Sequence, residues 1–326
     1  MTDLYFDPNY AKLYSDIDGR AETFTFECEY GSMISTFLLR PTPISINGER
    51  CYDITTPYGY GGPLILNTTD REKLLEAYSE AFSVYCRERH IVCEFVRFHL
   101  FDNVDVREKY YGTTKHVLDN VVVDTTGNYE DIRMRYEHKV RKNVNKALTN
   151  GLTLLVENST EHLDDFLNIY YATMDRNNAT DYYYFKRDYF ENIATLLPKN
   201  FMYFHVVKDS EIIATELVLC SEKYAYSFLG GTNRDFYAMR PNDFLKDGII
   251  RWCNETGREK FILGGGYHKD DGIYKYKRSF THDPDVPFYI GMTIHDQSTY
   301  LALVDERREA DADFDDKSSY FPLYRA

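Results

Sequence analysis

One order of elements occurs twice along this chain: meandering strands, a loop, a helix, a strand, a short helix and a strand. In the first half, after a short helix opened by Asp7-Pro8 and running to Ile17, residues 24–29 and 33–40 read as a hairpin around Tyr30-Gly31-Ser32. Residues 50–55 add a third extended piece, and TPYGYGGPL (56–64) is the loop. Asp70 caps a helix reaching about Arg89, with Leu74, Ala77, Ala81 and Tyr85 at helical spacing. A strand at 91–98, a short helix at 104–111 and a strand at 116–124 complete the set. The second half opens with a long helix at 128–149, closed by Asn150-Gly151. A strand follows at 152–156, then a helix from Ser159 with Leu163, Phe166, Leu167, Tyr170 and Met174 on one face. A further helix at 185–197 stops at Pro198. Strands at 201–207, 211–220 and 223–229 lead into GGTNRDFYAMR, a helix at 241–256 closed by Gly257, a strand at 261–263, a short helix at 272–280 and a strand at 286–294. This duplication implies an α+β chain of two similar domains, each a mixed, mostly antiparallel sheet flanked by helices. The boundaries read as 1–127 for the first domain, 128–150 for a connecting helix and 151–310 for the second.

The chain has 326 residues, comfortable for two cores, and 43% hydrophobic residues. No run approaches the ~18 apolar residues needed to span a bilayer. MTDLYFDPNY lacks the basic and apolar regions of a signal peptide, so the expected location is the cytoplasm. The cysteines at 28, 51, 86, 93, 220 and 253 include no C-x-x-C pair and read as small buried hydrophobes rather than disulfides or zinc ligands. A net charge of −14 argues against broad nonspecific nucleic-acid binding, so a polyanion partner needs a local basic patch.

Residues 261–280, FILGGGYHKDDGIYKYKRSF, concentrate the chemistry. Phe261, Ile262 and Leu263 form a buried strand that ends in Gly264, Gly265 and Gly266, which permit a sharp turn or close approach of a ligand. A polar loop, 267–272, precedes a helix with Ile273, Tyr276 and Phe280 on one side and Lys275, Lys277 and Arg278 facing a cleft. Backbone N–H groups and cations meeting at a strand end suit an anion site; a tight turn with a solvated charged loop is the alternative. The pattern is neither G-x-x-x-x-G-K-[ST] nor G-x-G-x-x-G, which removes nucleotide P-loop and dinucleotide readings.

The element order resembles the GNAT acyltransferase fold, and the tandem pair resembles the Fem-type (FemABX-like) aminoacyltransferases that build peptidoglycan bridges. TPYGYGGPL is similar to that family's aromatic-glycine stretch, and EFVRFHLFDN to its strand-end segment. RYEHKVRKNVNKALTNGL resembles its R-x-N-I-R-K-A-x-x-x-G helix, and DDGIYKYKRSF its L-Y-x-F-K-x-x-F motif. The resemblance covers most of residues 5–295. It implies a cytoplasmic transferase forming an amide on an amine acceptor of a cell-wall or related precursor, with aminoacyl-tRNA as donor and no tightly bound cofactor. It also implies that the tail, 311–326, packs on the first domain through Tyr320, Phe321, Leu323 and Tyr324. Alternatives are an N-acetyltransferase using acetyl-CoA, or a double-GNAT binding module without catalysis.

By the same resemblance Lys277 stabilises the oxyanion formed during transfer, as a fixed cation near the reacting carbonyl. Arg176 is placed on a substrate phosphate, flanked by aromatics that include Tyr183; its alternative is a helix-end cation bonded to the last carbonyls. Acetyl-CoA users carry [QR]-x-x-G-x-[GA] before the long helix. Residues 234–239 have no glycine there, while Thr56-Pro57-Tyr58-Gly59-Tyr60-Gly61 has glycines behind a threonine. Tyr237 and Tyr58 either line the cleft or pack in the core. Arg135, Lys139, Lys142 and Lys146 lie along one helix edge, read as a solvated connector face or as a phosphate-contacting edge. His268, Asp270 and Asp271 lack ligand spacing, so no metal is expected.

Overall fold

The computed structural model describes residues 2–45, 48, 50–266 and 271–326. The chain forms two compact units. One comprises Leu4–Val117 and Pro287–Ala326; the other comprises Leu118–Val286 with Asp3. Elements are numbered along the chain.

The first unit opens with α1 (Pro8–Lys12), started by Asp7, whose side chain accepts from the Asn9 amide at 2.8 Å. The helix is one turn shorter than the pattern implied. Strands β1 (Arg20–Cys28), β2 (Gly31–Pro41), β3 (Tyr52–Thr55), β4 (Leu64–Thr68) and β5 (Ile91–Arg97) follow, with α2 (Arg71–Glu88) and α3 (Val104–Glu108) around them. The sheet runs β1-β2-β3-β5, with β4 also on β2; β3 and β5 are parallel and the β1–β2, β2–β3 and β2–β4 pairs antiparallel. Leu74, Tyr78, Phe82 and Cys86 of α2 pack on Phe24, Phe37 and Ile91. β12 (Val286–Ile294) returns to this unit because it pairs antiparallel with β5, from Ile290 opposite Arg97 to Ile294 opposite Cys93. It brings α10 (Gln297–Ala310), which buries Tyr300, Leu303 and Val304 with Tyr324 against Cys51, Val92 and Cys93. The tail packs here through Tyr324, while Tyr320 is exposed.

In the second unit β6 (Thr113–Asp124) contributes Val121–Asp124 to a sheet of order β6-β11-β10-β9-β8-β7. Its helices and strands are α4 (Tyr129–Met134), α5 (His138–Thr149), β7 (Thr153–Glu157), α6 (Leu163–Arg176), α7 (Arg187–Leu196), β8 (Phe201–Lys208), β9 (Glu211–Cys220), β10 (Tyr224–Thr232), α8 (Pro241–Glu255), β11 (Lys260–Gly264) and α9 (Gly272–Arg278). Val140, Val144 and Ala147 of α5 and Ile249, Ile250 and Cys253 of α8 cover one face, against Phe204, Val218 and Phe261. Phe166 of α6 meets both Phe190 of α7 and Tyr203 on the opposite face.

Strand pairing, not chain order, divides the units, so the division falls at 117/118 and 286/287 rather than at 127 and 310. The single helix expected over 128–149 is two helices. Between them the Glu137 amide donates to the Ser279 carbonyl at 2.8 Å, and Tyr136 is buried against Phe280. That tertiary hydrogen bond and ring contact bend a stretch whose local sequence contains no helix breaker. No helix among the described residues is long and apolar enough to cross a membrane.

Candidate active site

Among the described residues the one parallel strand pair of the second unit, β10–β11, lasts three residue pairs, from Tyr224 opposite Lys260 to Tyr226 opposite Ile262. Past that point β10 is irregular between Ser227 and Leu229 and continues on β9, while β11 continues on β6 as far as Gly264. The strand ends part, and polar side chains from four elements collect there.

Lys246 of α8 is 9% exposed, in a helix face otherwise made of Phe244, Leu245, Ile249 and Ile250. Its Nζ donates to both carboxylate oxygens of Glu216, at 2.5 and 2.6 Å, and to Ser227 Oγ at 2.7 Å. Three short bonds offset the desolvation of this buried ion pair. No carboxylate among the described residues bonds Lys277 of α9. Its Nζ donates to the Gly265 carbonyl at 2.7 Å. Burial, reinforced by the charge of Lys246, pushes its pKa down to about 8, with Glu216 and Asp271 pulling the other way. An ammonium with one carbonyl partner and a lowered pKa has N–H donors to offer an incoming oxygen.

The glycines make this approach possible. Gly264 has φ +79°, and a Cβ there would lie 3.3 Å from Lys277 Nζ. At Gly266 a Cβ would lie 2.4 Å from Asp271 Oδ1, and Asp271 caps α9 by accepting from the Tyr274 amide at 2.7 Å. Gly264, Gly265 and Gly266 therefore fit the backbone against the start and the lysine of α9.

Beside this cluster a cleft of about 620 Å³ is lined by Lys139, Asn143, Tyr237, Arg240, Asp243 and Tyr276, among others. Lys275 also lines it and Lys277 does not. Burial pushes the Asp243 carboxyl pKa up, opposed by a 2.8 Å hydrogen bond from Asn143. The Tyr276 hydroxyl is buried and makes no hydrogen bond among the described residues. Its pKa is raised by burial first and then by the carboxylates of Asp243 in the cleft and Glu216 in the buried pair.

The structure brings some of the sequence candidates together and separates others. The Arg176 guanidinium, at the end of α6, bonds Thr173 Oγ1 at 3.1 Å and lies 5.6 Å from the Tyr237 ring, which is 40% exposed. Tyr183 is half-buried; its carbonyl accepts from the Tyr170 hydroxyl and its ring meets Tyr182 at 5.5 Å. Tyr58 belongs to the other unit, where its carbonyl accepts from the Tyr10 hydroxyl at 2.6 Å. Ile273, expected beside Lys277 as an anchor, is 43% exposed, whereas Phe280 is fully buried. Lys139, Lys142 and Lys146 are exposed, and Arg135 bonds the Asp124 carbonyl. Most of the loop 267–272, including His268 and Asp270, lies outside the described residues. Glu216, Lys246, Asp243 and Tyr276 escaped the sequence reading. The one available signal was Lys246, a cation inside an apolar helical stripe, which demands a buried partner.

The sequence of residues 134–278 matches the family described as the acetyltransferase (GNAT) domain. Across 241 residues the chain is 24% identical to the UDP-N-acetylmuramoylpentapeptide-lysine N(6)-alanyltransferase of Weissella viridescens, covering 70% of this chain. That alignment spans 66% of the relative's length, just under two thirds. The crystal structure of FemX superposes with a TM-score of 0.71 at 14% identity, covering 92% of this chain and 94% of that one. The C-terminal domain of a putative lysylphosphatidylglycerol synthetase from Agrobacterium fabrum gives a TM-score of 0.58 at 16% identity, with coverages of 94% and 92%. The chain thus shares its fold with FemX, and the part that holds the parted strands falls within the residues that match the acetyltransferase (GNAT) domain.

Proposed function

We propose that this chain is an acyltransferase that moves an amino acid from an aminoacyl-tRNA onto an amine of a cell-wall or related precursor. The observation that carries the reading is Lys277, a half-buried ammonium whose hydrogen-bond partner among the described residues is the Gly265 carbonyl, where β10 and β11 part. The name of the Weissella relative supports the same class of acceptor, a lysine amine on a UDP-linked muropeptide.

In this reading the neutral acceptor amine attacks the ester carbonyl of the donor. A C–N bond forms and the carbonyl oxygen becomes an oxyanion. Lys277 stabilises that charge, in a site dry enough for the interaction to count. Collapse breaks the ester C–O bond, and the proton lost by the amine ends on the ribose oxygen that departs. Arg176 and Tyr237, close together at the end of α6, are suited to a phosphate and its flanking base or sugar. Lys139 and Arg240 add positive charge along the cleft.

An acyl-CoA donor is the second reading and is less well supported. Residues Arg234–Met239 form a 3₁₀ turn without a glycine before α8, where acetyl-CoA users present free amides to pyrophosphate. The test mixes purified chain with alanyl-, glycyl- and seryl-tRNA and a UDP-linked pentapeptide containing lysine, following product mass. Transfer from one of these donors is the expected result. No transfer from any of them, combined with micromolar acetyl-CoA binding by calorimetry, would reverse the order of the two readings; binding of the muropeptide without transfer from either donor class would leave a binding module.

A further inference from the structure

Far along the second unit's sheet from the residues used above, three side chains converge that the transfer chemistry does not need. Glu157 ends β7, His162 stands at the start of α6, and His205 lies in the middle of β8. One donor atom from each lies within 4.8 Å of the other two. Glu157 Oε2 is 2.8 Å from His162 Nδ1, and Glu157 Oε1 is 3.5 Å from His205 Nε2. The imidazole rings of His162 and His205 are 5.7 Å apart.

His205 is the informative member. It is fully buried, and its Nδ1 is fixed at 2.8 Å from Thr215 Oγ1 on β9. Its Nε2 is buried, makes no hydrogen bond among the described residues, and stands 3.5 Å from Glu157 Oε1. A buried ring nitrogen left unmatched is destabilising, so an apolar residue in its place would make the more stable core. With Nδ1–H donating to Thr215, Nε2 presents a lone pair toward a carboxylate oxygen. In that tautomer two electron pairs face each other, an arrangement that a metal cation bound between them relieves.

We infer that Glu157, His162 and His205 form a binding site for a divalent transition metal of the zinc type. Two imidazoles and a carboxylate are a known zinc donor set, with M–N and M–O distances of about 2.0–2.2 Å. Those lengths place ligand atoms roughly 3.3 Å apart around a tetrahedral ion, between the 2.8 and 3.5 Å that separate the two histidines' nitrogens from the Glu157 oxygens here. Thr215 supplies the outer hydrogen bond that fixes the tautomer of a metal-bound histidine. The site joins β7 and β8 to the first turn of α6. The far end of that helix carries Arg176, and its Thr173 Oγ1 accepts from the Thr232 amide of β10 at 3.3 Å. The metal is thus a structural clip that anchors α6, and water completes its coordination. The spacing of 5 and 43 residues along the chain matches no ligand motif, so only the fold reveals it.

The test is titration of the metal-stripped full chain, free of any affinity tag, with Zn²⁺ by calorimetry and with Co²⁺ by visible absorption. One equivalent of Co²⁺ should give the intense d–d bands of a four-coordinate site, and Zn²⁺ should displace it. His162→Ala and Glu157→Gln act on partly exposed side chains and should leave the apo-protein's melting temperature nearly unchanged. Each should weaken Zn²⁺ binding by about 10²-fold or more, since even loss of an outer-shell partner costs about 10–100-fold. His282→Ala, on an exposed histidine, should not change it. Absence of stoichiometric binding, or affinity that survives both His162→Ala and Glu157→Gln, would overturn the assignment.

Discussion

In the unit built from Leu4–Val117 and Pro287–Ala326, the buried Asp53 carboxylate accepts from Arg40 Nε at 2.6 Å, Arg325 Nε at 2.7 Å and the Tyr324 hydroxyl at 2.7 Å. Glu94, equally buried, accepts from the hydroxyls of Tyr110 at 2.9 Å and Tyr111 at 2.5 Å. Every one of these charges is closed off by donors of its own unit. In Leu118–Val286 the Lys246–Glu216 pair is closed in the same way, but among the described residues Lys277 has only the Gly265 carbonyl. The comparison teaches where to look for chemistry. A buried charge with a full set of partners holds a fold together, and one with a neutral partner and donors to spare is ready for a ligand.

The hardest blow to that comparison would be a first unit insensitive to its own network. Asp53→Ala leaves two arginines with one buried partner fewer, and should cost about 3–5 kcal/mol of stability, read by urea denaturation. Transfer by the fraction that remains folded should be unchanged. Next in size is Lys277→Ala, expected to slow transfer by about 10²–10³-fold, the cost of one oxyanion donor, with melting temperature almost unaltered; Lys275→Ala should do far less. Turnover that survives the Lys277 change would remove the distinction between the two units.

The pH dependence of stability sharpens the contrast, because the two groups have opposite signs. Lys277 titrates at about 8 when folded against 10.5 otherwise, so the unfolded chain binds more protons between those values. Its contribution to stability rises with pH across that window. Burial pushes Glu94 up to about 7 from 4.5, opposed by the hydroxyls of Tyr111 and Tyr110, so the folded chain holds the extra proton between those values. That contribution is complete below the lower value and is lost as pH rises through the upper one. Lys277→Met and Glu94→Gln should each flatten the matching limb, by on the order of 2–3 kcal/mol. A wild-type profile unchanged by either substitution would disprove the burial argument.

The smallest expected effect concerns the turn. Gly264→Ala places a side chain at positive φ beside Lys277 Nζ, and should cost about 1–2 kcal/mol together with a measurable loss of transfer. Gly127→Ala carries similar strain, at φ +86° with open space around it. It should destabilise by about the same amount and leave transfer untouched. Equal losses of transfer in both would show that Gly264 acts only through folding.

Local chemistry determined much of this protein by itself. Asp7, Asp70 and Asp271 cap helices by bonding amides two or three residues on, and the alternation and helical spacing of apolar residues set the order of strands and helices. These signals are short-range, so one sequence carries them in full. The tertiary structure decided what no spacing encodes. It broke the 128–149 helix through the Ser279 carbonyl, returned β12 to β5, and set Glu216 against Lys246 across 30 residues. It also gathered Glu157, His162 and His205 on one face. Burial and partnership are distances between residues far apart in the chain. Whether a lysine such as Lys277 is a solvated surface charge or a desolvated ammonium follows only from what packs around it.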